Sequence, residues 1–327
     1  MNPSRLADTL PASYRVCGAV VVSDIEFPEL EPAPRRADEP AIRLRLGRIN
    51  DAAAVALHGY RSSPLALGET ALECTKSPHG YRLRFADLAE FHVDQEGSEV
   101  LCAFKPGLDP HTARHLILDQ LMPVILALRG QESLHATAIL TPGGVCAFVG
   151  ASGAGKSTLA ASFAFEGFPV VSDDCLVIRA VGDGILATPA YPGVRLCEDA
   201  VEEMVGSGPS VEPVAHYSAK QRIGTSGARL GFAEREASLI RIYALDSPED
   251  GAEGPETPAL EAITPRECFM TLVRSSFRLD FAGRAILARQ FSFNEQVVAR
   301  VRIKRLRYRR QFSGLPAVRR TILADLS

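Results

Sequence analysis

The 327-residue chain has no tryptophan and four methionines. Lysine is also scarce: of 36 basic residues five are lysines, Lys76, Lys105, Lys156, Lys220 and Lys304. Arginine carries the rest of the positive charge, so a lysine at a special position calls for a chemical reason. No run of apolar residues reaches the length of a membrane-spanning helix, and none is expected. Residues 1–16 lack a basic start, an apolar run and a small-residue cleavage site, so no secretory signal is expected either. The seven cysteines are odd in number and far apart, with no C-x-x-C pair and no Cys/His group at zinc spacing. They read as small buried hydrophobes in a reducing compartment, which makes the cytoplasm the expected location. The sequence contains no G-x-S-x-G and no cysteine with a histidine partner close by, which argues against Ser-His-Asp and Cys-His nucleophiles. A net charge of −3 gives no bulk attraction to nucleic acid or to a membrane.

What remains is ordinary globular material, 46% hydrophobic and 23% charged, long enough for about two domains. Residues 13–105 read as short strands. Tyr14–Val22 is apolar and β-branched, Ala41–Leu46, Tyr81–Phe85 and Phe91–Val93 alternate with period two, and Val100–Phe104 is apolar. Turns at Lys76–Gly80 and Asp94–Gly97 separate them, and the proline-rich Pro28–Pro34 is a loop. A helix is expected next. Asp109 caps it, Pro110 takes its first position, Leu116, Leu118, Leu121, Met122, Ile125 and Leu128 form its apolar face, and Gly130 ends it. Pro123, inside the pattern, predicts a kink. The boundary falls near residue 107, giving a β-rich domain over 1–106 and a second domain over 107–327.

From residue 132 the order becomes strand, loop, helix, strand. Leu134–Leu140 and Val145–Val149 are strands joined through Thr141–Gly144, Ser157–Glu166 is a helix and Phe168–Val171 is another strand. Ser247–Pro258, rich in Pro, Gly and acid, is expected to be a solvated, mobile loop. Thr264-Pro-Arg-Glu267 has capping-box spacing and predicts a helix to about Ser275.

Gly150-Ala151-Ser152-Gly153-Ala154-Gly155-Lys156-Ser157-Thr158 fits G-x-x-x-x-G-K-[ST], the phosphate-binding P-loop. Its glycines let successive N–H groups turn inward as an anion nest, and the helix that follows adds its N-terminal partial charge. Lys156 can reach the β- and γ-phosphates of ATP, and Ser157 can coordinate Mg²⁺. The flanks are those the motif requires, an apolar strand before it and a helical pattern after it. Asp173-Asp174 follows the strand Phe168–Val171. At the C-terminal end of a strand in an open α/β sheet the pair would lie beside the loop, one carboxylate serving the metal and the other a hydroxyl proton. Adjacent strand residues point to opposite faces, so the two are expected to differ in role. His135 lies on the strand before the loop strand.

This arrangement of His135, the loop from Gly150 and Asp173-Asp174 resembles the kinase domain of the HPr kinase/phosphorylase family. Gly150-x-Ser152-Gly153-x-Gly155-Lys156-Ser157 matches the family's G-x-S-G-x-G-K-S, and Gly167 stands where the family places its glycine after the loop helix. The resemblance covers residues 135–174. The family's Glu-Ile-Arg-Gly signature has no counterpart. Tyr191–Asp199 stands in its region and, with Cys17–Leu30, resembles the broader group of HPr-kinase-related proteins. The resemblance implies an α/β fold with a P-loop kinase domain of the HPr kinase C-terminal type behind a β-rich N-terminal domain. It also implies ATP and Mg²⁺ as cofactors and phosphoryl transfer to a hydroxyl, a Ser on a peptide or small protein. Asp174 would be the general base, Asp173 and His135 would orient the base or the γ-phosphate, and Ser157 with Asp173 would hold the metal. Sequence alone does not separate the two aspartates. A nucleotide-binding regulator without transfer and a small-molecule kinase remain as other readings, and a homo-oligomer is compatible with the chain. Residues 301–320 hold eight basic residues and no acid, read either as a docking surface for an acidic peptide or nucleic acid or as a strand with a solvated arginine face. Lys220 and Arg222 could supply a second cationic element toward phosphate.

Overall fold

A computed structural model describes residues 12–36, 38–48, 59–61, 72–205, 211–224, 230–246, 254–277 and 284–327, with the backbone alone at 59–61. Part of the expected loop 247–258 lies outside the described residues. By packing, the chain divides into two units: Met1–Gly130 with Pro213–Ala219 and Leu279–Leu287, and Gln131–Glu212 with Lys220–Arg278 and Ala288–Ser327. The architecture is mixed α/β.

The first unit is built on an eight-stranded sheet. Its strands are β1 (Ala12–Val16), β2 (Ala19–Ser23), β3 (Ala41–Leu46), β4 (Gly59–Arg61), β5 (Leu72–Ser77), β6 (Gly80–Phe85), β7 (Ala89–Val93) and β8 (Glu99–Phe104). They lie in the order β1-β2-β3-β8-β7-β6-β5-β4. The run expected as one strand over Tyr14–Val22 is a hairpin instead. Cys17 and Gly18 take φ of 51° and 77°, the double left-handed turn that folds β1 back on β2. The sequence reading saw the apolar run and missed the turn because Cys17 is no usual turn residue. Alternation holds in β6 and β7, where Leu83, Phe85 and Phe91 are buried.

A helical segment follows as α1 (Pro110–His115), a π-helical turn (Leu116–Leu121) and α2 (Met122–Leu128). Asp109 caps α1, accepting from the Thr112 amide at 2.9 Å. The irregularity expected at Pro123 takes the form of the wide π turn just before it. A proline lacks its own N–H and crowds the carbonyl four residues back, and the π turn opens the backbone there. The segment groups with the first sheet, through Arg114 on Glu29 at 2.6 Å and Arg129 on Ser98 at 3.2 Å, whereas the sequence expectation places it beyond a boundary near residue 107.

The second unit contains β9 (Glu132–Thr141), β10 (Gly144–Val149), α3 (Lys156–Ala164), β11 (Val170–Ser172), β12 (Cys175–Val181), β13 (Gly184–Thr188), β14 (Val194–Cys197) and α4 (Glu198–Met204). It continues with β15 (Val211–Pro213), β16 (Lys220–Ile223), β17 (Ala237–Leu245), β18 (Ala259–Ala262) and α5 (Pro265–Ser275). The last elements are α6 (Arg284–Arg300), which belongs here from Ala288 on, β19 (Arg302–Arg307) and α7 (Leu315–Leu326). The larger sheet runs β10-β9-β12-β13-β17-β19-β18, and β17 also pairs with β10, so five strands close into a ring. β14, β16 and β15 form a separate small sheet. β10, β17 and β19 are mutually parallel, so the loops that follow them open on the same edge. Leu159, Ala160 and Phe163 hold α3 on Phe148 and Tyr243, and burial of each large side chain is worth about 1.5–3 kcal/mol. The capping box at Thr264 and Glu267 forms as expected and starts α5.

Residues 301–320 are strand β19 followed by α7, with Val301, Ile303, Leu306 and Tyr308 buried. The cations meet acids of the same unit. Lys304 meets Asp325, Arg305 meets Asp246 and Glu267, and Arg307 meets Asp246 and Glu261.

Candidate active site

β10 ends at Val149, and the chain passes into α3 through Gly150–Gly155. Gly150, Gly153 and Gly155 take φ of 154°, 78° and 89°, conformations that cost a side-chain-bearing residue strain. At Gly155 a Cβ would also stand 3.4 Å from the Tyr308 hydroxyl. Ser152, Gly153, Gly155, Lys156, Ser157 and Thr158 line a cavity of about 260 Å³. Gly150 and Ala151 support the site from behind, and Ala154 is packed in the core.

Lys156 opens α3 and folds back on the loop. Its Nζ donates to the carbonyl oxygens of Gly150 at 2.9 Å and Ala151 at 3.0 Å, and the residue is 5% exposed. Burial lowers its pKa below that of an ordinary lysine, opposed by the charges of Asp174 and Asp173 and reinforced by Lys220.

β11 and β12 run one after the other along the same edge of β9, interrupted at Asp173-Asp174. A register shift lies between Val170 and Ser172, and Asp174 takes a left-handed φ of 75°. The pair therefore does not sit at the free end of a strand in an open sheet, as the sequence suggested, but in a break within an edge. Such irregularities re-aim side chains beside functional sites. The break also overrides the alternation expected of adjacent strand residues, and both carboxylates converge on Arg195.

Their surroundings separate them. The Asp173 side chain has no solvent exposure. Its Oδ1 accepts from Ser157 Oγ at 2.7 Å and Thr137 Oγ1 at 2.8 Å, and its Oδ2 accepts from the Arg195 amide at 2.8 Å. Asp174 keeps 21% of its side chain exposed and lines the cavity, with Oδ2 at 2.9 Å from Arg195 Nη1 and Oδ1 at 3.8 Å from His135 Nδ1. Asp173 is thus fixed by three donors, while Asp174 faces the space where a ligand would lie.

His135 also lines the cavity, edge-on to Phe277 with ring centroids 6.0 Å apart. Burial chiefly, then the Lys156 charge, lowers its pKa below the usual histidine value, opposed by the charges of Asp174 and Asp173.

Arg195 on β14 was assigned no role in the sequence reading. Its side chain is 2% exposed, contacts both carboxylates, and donates to the Asp173 carbonyl at 2.6 Å. Its guanidinium lies 5.9 Å from the Tyr191 ring centre, and Arg222 lies over the same ring at 5.6 Å. No spacing rule marks Arg195, because β14 joins the site only through tertiary packing. Thr137 was legible in principle: it stands two residues after His135 on β9 and so shares its face. Of the expected cationic pair, Lys220 lines the cavity and Arg222 is buried behind Tyr191.

The donor set suits a small hard cation. Ser157 Oγ and Asp173 Oδ1 supply two neighbouring oxygens, and Mg²⁺ commonly takes one or two protein oxygens and completes its shell with phosphate and water. Among the described residues no group of three or more His, Cys, Asp or Glu could hold a metal unaided. Among them, too, no helix is long and apolar enough to cross a membrane.

No protein family model matches the sequence, and no curated protein matches it. Among solved structures the chain is similar to the Hpr(Ser) kinase/phosphatase from Coxiella burnetii, at 14% identity and a TM-score of 0.24, over 50% of this chain and 96% of that one. At that TM-score the likeness assigns no residue here a role.

Proposed function

We propose that the second unit is an ATP- and Mg²⁺-dependent phosphotransferase of the P-loop type that acts on a hydroxyl, with a Ser on a peptide or small protein as acceptor. The observation that carries this reading is the division of labour within Asp173-Asp174. One carboxylate is locked to the loop serine, and the next faces the same cavity beside His135. A site that only bound nucleotide would have no use for the second.

Bound ATP with Mg²⁺ would supply the transferable phosphoryl group and the cation that neutralises it. The amides of residues 152–158 would hold the phosphates, and Lys156 would leave the Gly150 and Ala151 carbonyls to pair with them. Ser157 and Asp173 would hold the metal. Asp174 would accept the proton of the acceptor hydroxyl as its oxygen bonds the γ-phosphorus and the bond to ADP breaks, ADP leaving with the bridging oxygen, and His135 and Arg195 would fix the Asp174 carboxylate in place. Catalysis of this kind is mainly positioning and charge stabilisation.

The test is incubation of the full chain with γ-labelled ATP, Mg²⁺ and a library of serine-containing peptides. Label on peptide serines, absent with Lys156→Ala, supports the reading. ATP binding without label on any peptide would favour the small-molecule kinase or the regulator.

A further inference from the structure

We infer that Tyr308–Leu315, the segment linking β19 to α7, is the nucleoside-binding wall of the cavity and that Phe312 is its stacking surface. The inference rests on the reading of Gly150–Thr158 as a phosphate-binding loop and extends it to the other end of the nucleotide. β10 has β9 on one side and β17, then β19, on the other. The groups suited to chemistry, His135 and Asp174, come from the β9 side. A triphosphate whose terminal phosphorus reaches Asp174 can leave its other end toward β17 and β19, where the cavity continues to Tyr308 and Leu315. Parallel pairing brings the end of β19 to the same edge as the loop, and Tyr308 approaches Gly155 there.

The composition of that end fits a base and sugar. Tyr308, Phe312 and Leu315 line the cavity together with Gln311 and one charged neighbour, Arg310, whereas His135, Asp174, Arg195 and Lys220 line it from other elements. Tyr308 and Leu315 are buried against the Phe148–Phe163 core, and Phe312 is partly exposed on the same packing. Ligand pockets of this kind join apolar faces to a few polar groups that fix orientation. The exposed Gln311 amide can serve a base edge. The segment belongs to the strongly basic stretch 301–320, and one cation of it, Arg310, lines the cavity, where its guanidinium donates to the Asp246 carbonyl.

Calorimetric titration with ATP and with inorganic tripolyphosphate, both with Mg²⁺, separates the two ends of the site. Phe312→Leu keeps an apolar side chain for packing and removes the aromatic face. It is expected to weaken ATP about ten-fold while tripolyphosphate affinity is unchanged, and Gln311→Ala to act in the same direction. Lys156→Ala should weaken both ligands. Phe312→Leu binding ATP as tightly as the unaltered chain, or weakening both ligands equally, would overturn the nucleoside wall while the loop reading stands. Lys156→Ala binding both ligands normally would overturn the loop reading, and the wall with it.

Discussion

At the level of single residues, Arg195 ties the two aspartates together. It is buried and its guanidinium touches both carboxylates. Removing one partner of a buried ion pair typically costs about 3–5 kcal/mol. Arg195→Ala should therefore lower the urea midpoint by a corresponding amount, although the residue is far from the loop in sequence. An unchanged midpoint would show that the aspartates do not depend on it. His135 gives a pH signature. Its pKa lies below its ordinary value of 6.5 in the folded chain, mainly through burial. The unfolded chain then takes up more protons below about pH 6.5, so this contribution to stability is complete above that pH and is lost as pH falls through the folded value. His135→Gln, which cannot titrate, should lose less stability than the unaltered chain between pH 7.5 and 5.0, measured by urea unfolding. A greater loss would reverse the sign and place a charged histidine in the native site.

Elements show how much of this the sequence carried. The loop, α3 and their flanking strands were legible because the motif fixes both glycine positions and neighbours, and the N-cap at Asp109 and the capping box at Thr264 were legible because caps are local. Asp109→Ala should cost about 1 kcal/mol, since the carboxylate holds both the amide and the hydroxyl of Thr112. Thermal unfolding would check this, and a null result would mean that water replaces the cap. Less legible were features that depend on partners distant in sequence. The Cys17-Gly18 turn lies inside an apolar run, the break at Asp173-Asp174 overrides strand alternation, and Arg195 reaches the site through the separate sheet of β14 and β16. The cations of β19 allowed two readings, a docking surface or the solvated arginine face of a strand. Which acids would meet them is a property of the folded sheet: Asp246, Glu261 and Glu267 come from other elements.

At the scale of the whole molecule, the proposed chemistry is confined to the second unit, while the first carries its own sheet and core. ATP with Mg²⁺ should therefore slow amide exchange in residues 150–158 and leave β5–β8 unchanged, and protection confined to β5–β8 would move the ligand site. The central claim is that Asp174, and not Asp173, takes the acceptor proton. Asp174→Asn in the full chain tests it most directly, with ATP affinity and transfer to peptide measured on the same preparation. Near-normal ATP affinity is expected, with a loss of transfer of about 10²–10⁴-fold, the usual worth of a positioned base. Transfer at the unaltered rate, or loss of ATP binding itself, would contradict it.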